Sequence, residues 1–231
     1  MGAQVSVLSP DGKYIAFSSA RIDFTGPSVF KRPVGEGPEE RLVALPGATV
    51  PTHWISNYLL FRMNDKDTGY DIWALPMRGP NAAGEPFPVV KTEHQERDAQ
   101  FSPDGKWIAY ESNRSGIPEI YVHPFLRPGG EQIVSKGGGA QVRWNPNGKE
   151  LFYIALDGKL MAVPIQSAAS GTLDIGDPTA LFRTRMGPVL WGVHTQQYLV
   201  GENGQRFLIS TAANGDLSPI NLILNWRPGE R

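Results

Sequence analysis

The chain has 231 residues, 40% of them apolar, with no cysteine and a net charge of −1 from 22 Lys and Arg against 23 Asp and Glu. That length can bury a core as a single domain, the near-neutral balance supplies no field toward nucleic acid or an anionic membrane, and the missing cysteines exclude disulfides, thiolate metal sites and a Cys nucleophile. The 26 Gly and 20 Pro suit many short strands joined by turns.

The first strand ends at Leu8 and meets Ser9-Pro10-Asp11-Gly12-Lys13, after which Tyr14 to Phe17 resumes an apolar pattern. Pro presets φ for the first turn position, Asp bonds its own backbone and Gly takes the positive φ that closes a hairpin, so this is a tight turn between two strands. A third strand over Val29 to Pro33 stops where proline cannot donate to a ladder, and Leu42 to Leu45 forms a short fourth. The order then repeats. Trp54 and Ile55, a turn shortened by two residues, Tyr58 to Phe61, Ile72 to Pro76 and Phe87 to Val90 make the second unit. Phe101, the turn Ser102-Pro103-Asp104-Gly105, Trp107 to Tyr110, Ile120 to Pro124 and Gln132 to Ser135 make the third. Trp144, the turn Asn145-Pro146-Asn147-Gly148, Leu151 to Tyr153, Leu160 to Pro164 and Thr179 to Phe182 make the fourth. The last unit has only Tyr198 to Val200, Phe207 to Ser210 and Ile220 to Trp226, nineteen strands in all.

The anchors Leu8, Trp54, Phe101, Trp144 and Val200 are separated by 46, 47, 43 and 56 residues, close to the roughly 45-residue period of a four-stranded blade. The fold class is therefore all-β: a β-propeller of five blades of antiparallel four-stranded sheets, the last blade three-stranded. The blades cover approximately 4–46, 47–92, 93–138, 139–186 and 187–228 of a single domain, 1–231. A short fifth blade has two readings, a five-bladed ring with one defective blade or part of a larger propeller. An uncovered edge on that blade would be an association hazard.

Ser-Pro-Asp-Gly after the first strand, and the acidic-apolar-aromatic triplets Asp71-Ile72-Trp73 and Glu119-Ile120-Tyr121 opening the third, resemble the TolB-like, WD-type propeller repeats of bacteria. From about Tyr70 onward, Gly105 to Asn113, Gly158 to Pro164 and Leu222 to Trp226 are most similar to the C-terminal propeller regions of bacterial serine/threonine protein kinases. The resemblance implies a recognition or sensing module whose partner is a protein, a peptide or a small molecule, either free-standing or the C-terminal part of a larger protein. It allows a periplasmic or a cytoplasmic location. It carries no kinase activity, because the glycine-rich nucleotide loop, the His-Arg-Asp loop and the Asp-Phe-Gly motif are all missing from this chain. Met1 to Asp11 lacks the basic and apolar regions of a signal peptide, and no apolar run nears the roughly 20 residues of a membrane span. Nucleic acid and membrane insertion are therefore not expected.

In an up-and-down blade the Asp-Gly turns lie at one end, and the approaches to the first strands lie at the other, where they form a polar and aromatic funnel. The funnel candidates are His53, His94, Glu96, Asp98, Arg143, Trp191 and His194, with Thr52, Gln141 and Gln196 beside them. No catalytic residue is assigned, and no Gly-x-Ser-x-Gly elbow is present. Neutral imidazoles bind zinc or similar ions, so His53, His94 and His194 with Glu96 or Asp98 are the residues that a divalent metal would use. No other cofactor is implied. Their registers relative to the anchors are uneven, which speaks against a built ring. Arg97, Arg114 and Arg143 could clamp an anion or make ion pairs between blades. The loop Asn64 to Gly69 spaces its oxygens like a calcium loop but lacks the length and terminal Glu, so a turn capped by its own side chains is expected. Two functions remain: a non-catalytic recognition module binding across the funnel face, and a metal-dependent hydrolase or lyase with its site in the channel.

Overall fold

The computed structural model describes residues 6–20, 27–168, 172–186, 196–211 and 221–223, and among these it has twenty-one strands and no α-helix. None of its elements is a helix long and apolar enough to cross a membrane. The first sheet has the order β1 (Ser6–Leu8), β2 (Tyr14–Ser19), β3 (Ser28–Pro33), β4 (Glu40–Arg41). The second has β5 (Thr49–Ile55), β6 (Tyr58–Asp65), β7 (Gly69–Arg78) and β8 (Asn81–Ala82), with β9 (Phe87–Val90) also on β7. The third is β10 (Glu96–Phe101), β11 (Trp107–Ser112), β12 (Glu119–Pro124) and β13 (Gln132–Ile133). The fourth is β14 (Ala140–Trp144), β15 (Glu150–Ile154), β16 (Lys159–Ser167) and β17 (Leu173–Ile175), with β18 (Thr179–Arg183) also on β16. The last, β19 (Tyr198–Gly201), β20 (Arg206–Ile209) and β21 (Asn221–Ile223), has three strands among the described residues. These are five antiparallel blades of a β-propeller, and contacts divide the chain into two compact units, Met1–Gln100 with Ser112–Arg114, and Phe101–Glu111 with Ser115–Arg231.

The repeated turn is built as its residues dictate. In the first blade the Ser9 hydroxyl donates to the Asp11 carboxylate at 2.6 Å, that carboxylate accepts the Lys13 N–H at 3.1 Å, and the Tyr14 N–H returns to Ser9 Oγ at 2.9 Å. The third blade repeats the set with Ser102, Asp104, Lys106 and Trp107 at 2.6, 3.1 and 3.0 Å. Gly12 and Gly105 have φ of 70° and 69°, where a side chain is strained. The Ser9 bond, then the Lys13 N–H, holds the Asp11 carboxyl below its usual range, as expected of a charged acceptor fixed by donors.

Two third strands run further than their prolines suggest: β7 continues through Pro76 and β16 through Pro164. In an antiparallel strand a residue's N–H and C=O point to the same side. The Pro76 carbonyl accepts the Ala83 N–H at 2.8 Å and the Pro164 carbonyl accepts the Gly176 N–H at 2.9 Å, both from the outer side. The missing donor of each proline therefore faces the gap between two short outer strands, β9 and β8 or β18 and β17, where no ladder bond is lost. The outer strand of the first blade lies at Glu40–Arg41, ahead of the expected Leu42 to Leu45, and that of the third blade is shorter than expected, Gln132–Ile133. The N–H groups of Leu42 and Val43 both converge on the Val29 carbonyl, at 2.9 and 3.3 Å, which ends the ladder at Arg41. In the third blade the Ser135 hydroxyl, not a backbone carbonyl, accepts the Ile120 N–H at 2.7 Å.

Alternation along each strand separates two apolar faces. In the first unit Ala16 and Val29 pack with Trp54, Leu59, Phe61 and Leu75. In the second, Ala109 and Ile120 pack with Trp144, Leu151 and Val163, and Phe152 and Leu160 pack with Phe207 and Ile209. Trp54, Trp107 and Trp144 are buried in these clusters and Trp73 packs at the edge of the first; Trp226 lies outside the described residues.

Candidate functional site

Two of the first strands, β5 and β14, are bulged where they approach the funnel end. Register shifts between Pro51 and His53 in β5, and between Ala140 and Arg143 in β14. Asp98 and Gln141, each three residues before its anchor, have φ of 47° and 59°. Such bulges re-aim side chains, so they decide where the predicted site residues go.

In the first unit His53 is half-buried on β5 and registers with Leu60. The Thr92 hydroxyl accepts the His94 backbone N–H at 3.1 Å and donates to Glu96 Oε1 at 2.6 Å, while the His94 imidazole Nε2 lies 4.0 Å from Glu93. The Ser112 hydroxyl donates to the same oxygen at 3.3 Å. Glu96 is buried, and Asp98 is half-buried. Asp71, the acid of the first triplet, is buried beside Glu96, accepts the Thr68 hydroxyl at 2.7 Å and lies 3.8 Å from Lys91 Nζ. Asp71 Oδ1 and Glu96 Oε2 are buried without a hydrogen-bond partner.

Burial pushes the Glu96 carboxyl up, the Thr92 and Ser112 bonds pull it back, and the Asp71 charge raises it again. Burial also raises Asp71, against the Thr68 bond and the Lys91 charge. A carboxyl whose pKa is higher folded than unfolded binds more protons in the folded state, so its effect is to lose stability as pH rises above the ordinary value of about 4.3. Glu96→Gln keeps an acceptor for both hydroxyls. It is expected to match the wild type near pH 4 and to melt higher than the wild type at pH 8. A difference in Tm that does not grow with pH would sink this assignment.

Tyr70 opens β7 between two arginines, with the Arg97 guanidinium 4.4 Å and the Arg62 guanidinium 4.9 Å from its ring centroid. Gln95 locks this group, since its Oε1 accepts the Tyr70 N–H at 3.3 Å and lies 3.5 Å from Arg97 Nη2, while its own N–H donates to Asn113 Oδ1 at 2.9 Å. Arg62 is buried, whereas Tyr70 and Arg97 are half-buried. Sequence reading named Arg97 but missed Tyr70 and Gln95, which sit at a hairpin and a connection without any periodic signal.

The Asn64 to Gly69 loop is capped from within. Asp65 Oδ1 accepts the Asp67 N–H at 2.9 Å, Lys91 Nζ donates to Asp65 Oδ2 at 2.7 Å, and Lys66 Nζ reaches Asp67 at 2.8 Å. An open hollow of about 650 Å³ lies against this loop, bounded by Pro46 to Ala48.

In the second unit the funnel residues are used as fasteners. The Gln141 backbone N–H donates to Glu111, its Nε2 donates to Gln197 Oε1 at 2.7 Å, and its Oε1 accepts the Gln197 N–H at 2.9 Å. Arg143 is buried, with Nη1 2.5 Å from the Val142 carbonyl and its guanidinium over the Tyr198 ring at 5.7 Å. Glu119 accepts the Ser135 hydroxyl, so the acid of the second triplet also has a structural bond. His123 Nδ1 is 2.6 Å from the Pro124 carbonyl. A cleft of about 490 Å³ opens at the other end of the blades, between the Pro103 and Asn147 turns, lined by Trp107, Trp144 and Lys149.

Trp191 and His194 lie outside the described residues. Among the described residues no three His, Cys, Asp or Glu side chains are grouped to hold a metal ion.

No family model matches the chain, and no curated protein matches it. Solved structures do. The putative TolB from Agrobacterium tumefaciens superposes with a TM-score of 0.60 at 18% identity, over 78% of this chain and 66% of that one. TolB from Acinetobacter baumannii gives 0.63 at 19%, over 90% of this chain and 48% of that one. An oligogalacturonate lyase in complex with manganese gives 0.65 at 14%, over 99% and 67%. The chain thus spans about two thirds of the first TolB structure and about half of the second. With five antiparallel blades and these likenesses, the fold is that of a β-propeller, similar to those of the two TolB structures and the lyase.

Proposed function

We propose that the chain is a non-catalytic recognition module that binds a protein or peptide partner at the funnel end, through a carboxylate-bearing segment seated on Tyr70 and Arg97. A role as a sensor appended to another domain, as in the kinase propellers that the sequence resembles, is part of this reading. The supporting observation is the stack of Arg62, Tyr70 and Arg97, which Gln95 and Asn113 hold in place. A guanidinium held beside an aromatic ring presents a planar fork of N–H groups, which matches a carboxylate with two parallel bonds. Tyr and Arg together are the residue types most enriched at the energetic centres of protein interfaces. By contrast Gln141, Arg143 and Glu119 serve internal bonds, which suits a rigid scaffold.

The test is selection of displayed peptides on the purified chain, followed by affinity measurement against Arg97→Ala. A loss of at least about tenfold, equal to about 1.4 kcal/mol, is expected for Arg97→Ala, with Lys66→Ala unchanged. Equal binding by Arg97→Ala and wild type overturns the reading. Bound divalent metal with chelator-sensitive turnover of an ester, lactone or phosphoester would replace it with the hydrolase or lyase alternative.

A further inference from the structure

The third strand of blade four outruns its inner neighbour. β15 begins at Glu150, and the bond furthest out between the two strands is that from the Ile165 N–H to the Lys149 carbonyl, at 2.8 Å. β16 continues to Ser167, paired on its other side with β17. The Gly176 N–H bonds the Pro164 carbonyl and the Ala168 N–H bonds the Thr172 carbonyl, both at 2.9 Å, so Pro164, Gln166 and Ala168 turn their backbone groups toward β17. Ile165 and Ser167 turn theirs the other way. Beyond Ile165 no strand among the described residues pairs with β16 on that side, and the backbone of the exposed Ser167 is an open edge. Blade two lacks this edge, because β7 ends at Arg78, two residues past Pro76, and Gly79, at a φ of 60°, turns the chain into β8.

The open edge borders the cleft of about 490 Å³ described above, which lies within the second unit. Ile165, Ser167 and Leu173 share one face of the β16–β17 ribbon, and Ile165 and Leu173 pack in the cluster that holds Trp107 and Trp144. The cleft therefore has an apolar wall. Trp144 Nε1 is buried there without a hydrogen-bond partner, a donor that the chain itself leaves unused. Of the two charged residues lining the cleft, Asp104 is already taken, by the Ser102 hydroxyl at 2.6 Å, the Lys106 N–H at 3.1 Å and Lys106 Nζ at 3.4 Å. Lys149 is exposed, and among the described residues no acid pairs with its ammonium.

We propose that this cleft takes an extended, acidic segment of a partner protein, which adds to β16 as a strand. The segment exchanges backbone bonds with Ser167, sets an apolar side chain against Trp107, Trp144 and Leu173, and brings a carboxylate to Lys149. Strand addition draws affinity from main-chain bonds and specificity from pockets for alternate side chains. Side chains alternate across a strand, so every second residue of the added segment faces the tryptophans as Ile165 and Ser167 do. Charge selects the partner, since a basic segment would meet an unpaired lysine and an aspartate already neutralised. The site shares no residue with the group of Arg62, Tyr70 and Arg97.

Selection of short displayed peptides on the full chain tests this, with the enriched peptides synthesised and titrated against variants whose folding is checked by their melting curves. Peptides that combine an acidic with an apolar residue are expected. Ser167→Pro removes the outward N–H and leaves the β17 ladder intact, because that N–H faces away from β17. Ser167→Pro and Lys149→Glu are each expected to weaken these peptides by at least about tenfold, the second more strongly at low salt. Arg97→Ala is expected to leave them bound. The proposal is overturned if every enriched peptide binds Ser167→Pro and Lys149→Glu as tightly as wild type, or if only basic peptides or none are enriched. It is equally overturned if the chain self-associates and Ser167→Pro makes it monomeric, since the edge then belongs to a second copy.

Discussion

Phe152→Ala is expected to lower stability by about 3–5 kcal/mol, the usual cost of emptying a buried aromatic site. Phe152 is buried between β14 and β16 and meets Phe207 edge-on at 5.1 Å, so truncation removes both its own burial and one wall of the Phe207 site. The neighbours lie on strands whose ladders restrict their collapse into the gap. A denaturant titration at unchanged m-value measures the loss. The repeat supplies an internal control, since Leu208 occupies the equivalent position at 40% exposure. Leu208→Glu should cost less than about 1 kcal/mol, as exposed substitutions do. If both substitutions cost the same, the packing scheme that separates the two positions is wrong.

The second large effect is expected from Gly47→Ala, for a reason unrelated to backbone freedom. A Cβ at Gly47 would lie 2.2 Å from the Asn64 carbonyl oxygen and 3.0 Å from its carbon. Both are backbone atoms in a hairpin that the Asn64 N–H ties to the Ala48 carbonyl at 2.9 Å. Relief requires the connection before β5 to move off the β6–β7 hairpin, and we expect a loss near the upper end of the about 1–3 kcal/mol typical of overpacking. Gly130→Ala, where nothing lies within 4 Å of the added atom, should be close to neutral. Equal melting temperatures for Gly47→Ala and wild type would show that the connection yields easily.

Much of the fold was legible because the turn chemistry is local. Ser102, Pro103, Asp104 and Gly105 need only one another to define a hairpin, and their bonds form among residues at most five apart. The strand ends at Pro76 and Pro164 were misread for the opposite reason. Proline interrupts a ladder only on the side its nitrogen faces, and that side is set by which neighbouring strand is present.

The site was less legible. His94 and Glu96 were named from their place before a first strand; it is the His94 backbone that shares Thr92 with Glu96, and Glu96 lies next to Asp71, twenty-five residues before it in the chain. For Arg143 the sequence left an anion clamp and an ion pair between blades equally open, and its guanidinium lies over Tyr198, fifty-five residues away. Tyr70 carries no repeat signal, and only folding sets it between Arg62 and Arg97.

The sequence by itself determined the blade: strand alternation, tight turns and a period near 45 residues are properties of neighbours along the chain, and they point to an all-β propeller of five units. Tertiary structure alone decided which polar residues are fasteners and which remain at the surface. A bulge at Gln141 or a positive φ at Asp98 rotates a side chain by a local backbone change that no residue pattern announces. It also decided which apolar residues stay uncovered. Trp54 and Leu8 hold the same place in the repeat, and Trp54 is buried because Ala16 of the preceding blade packs on it, a neighbour that no local pattern names.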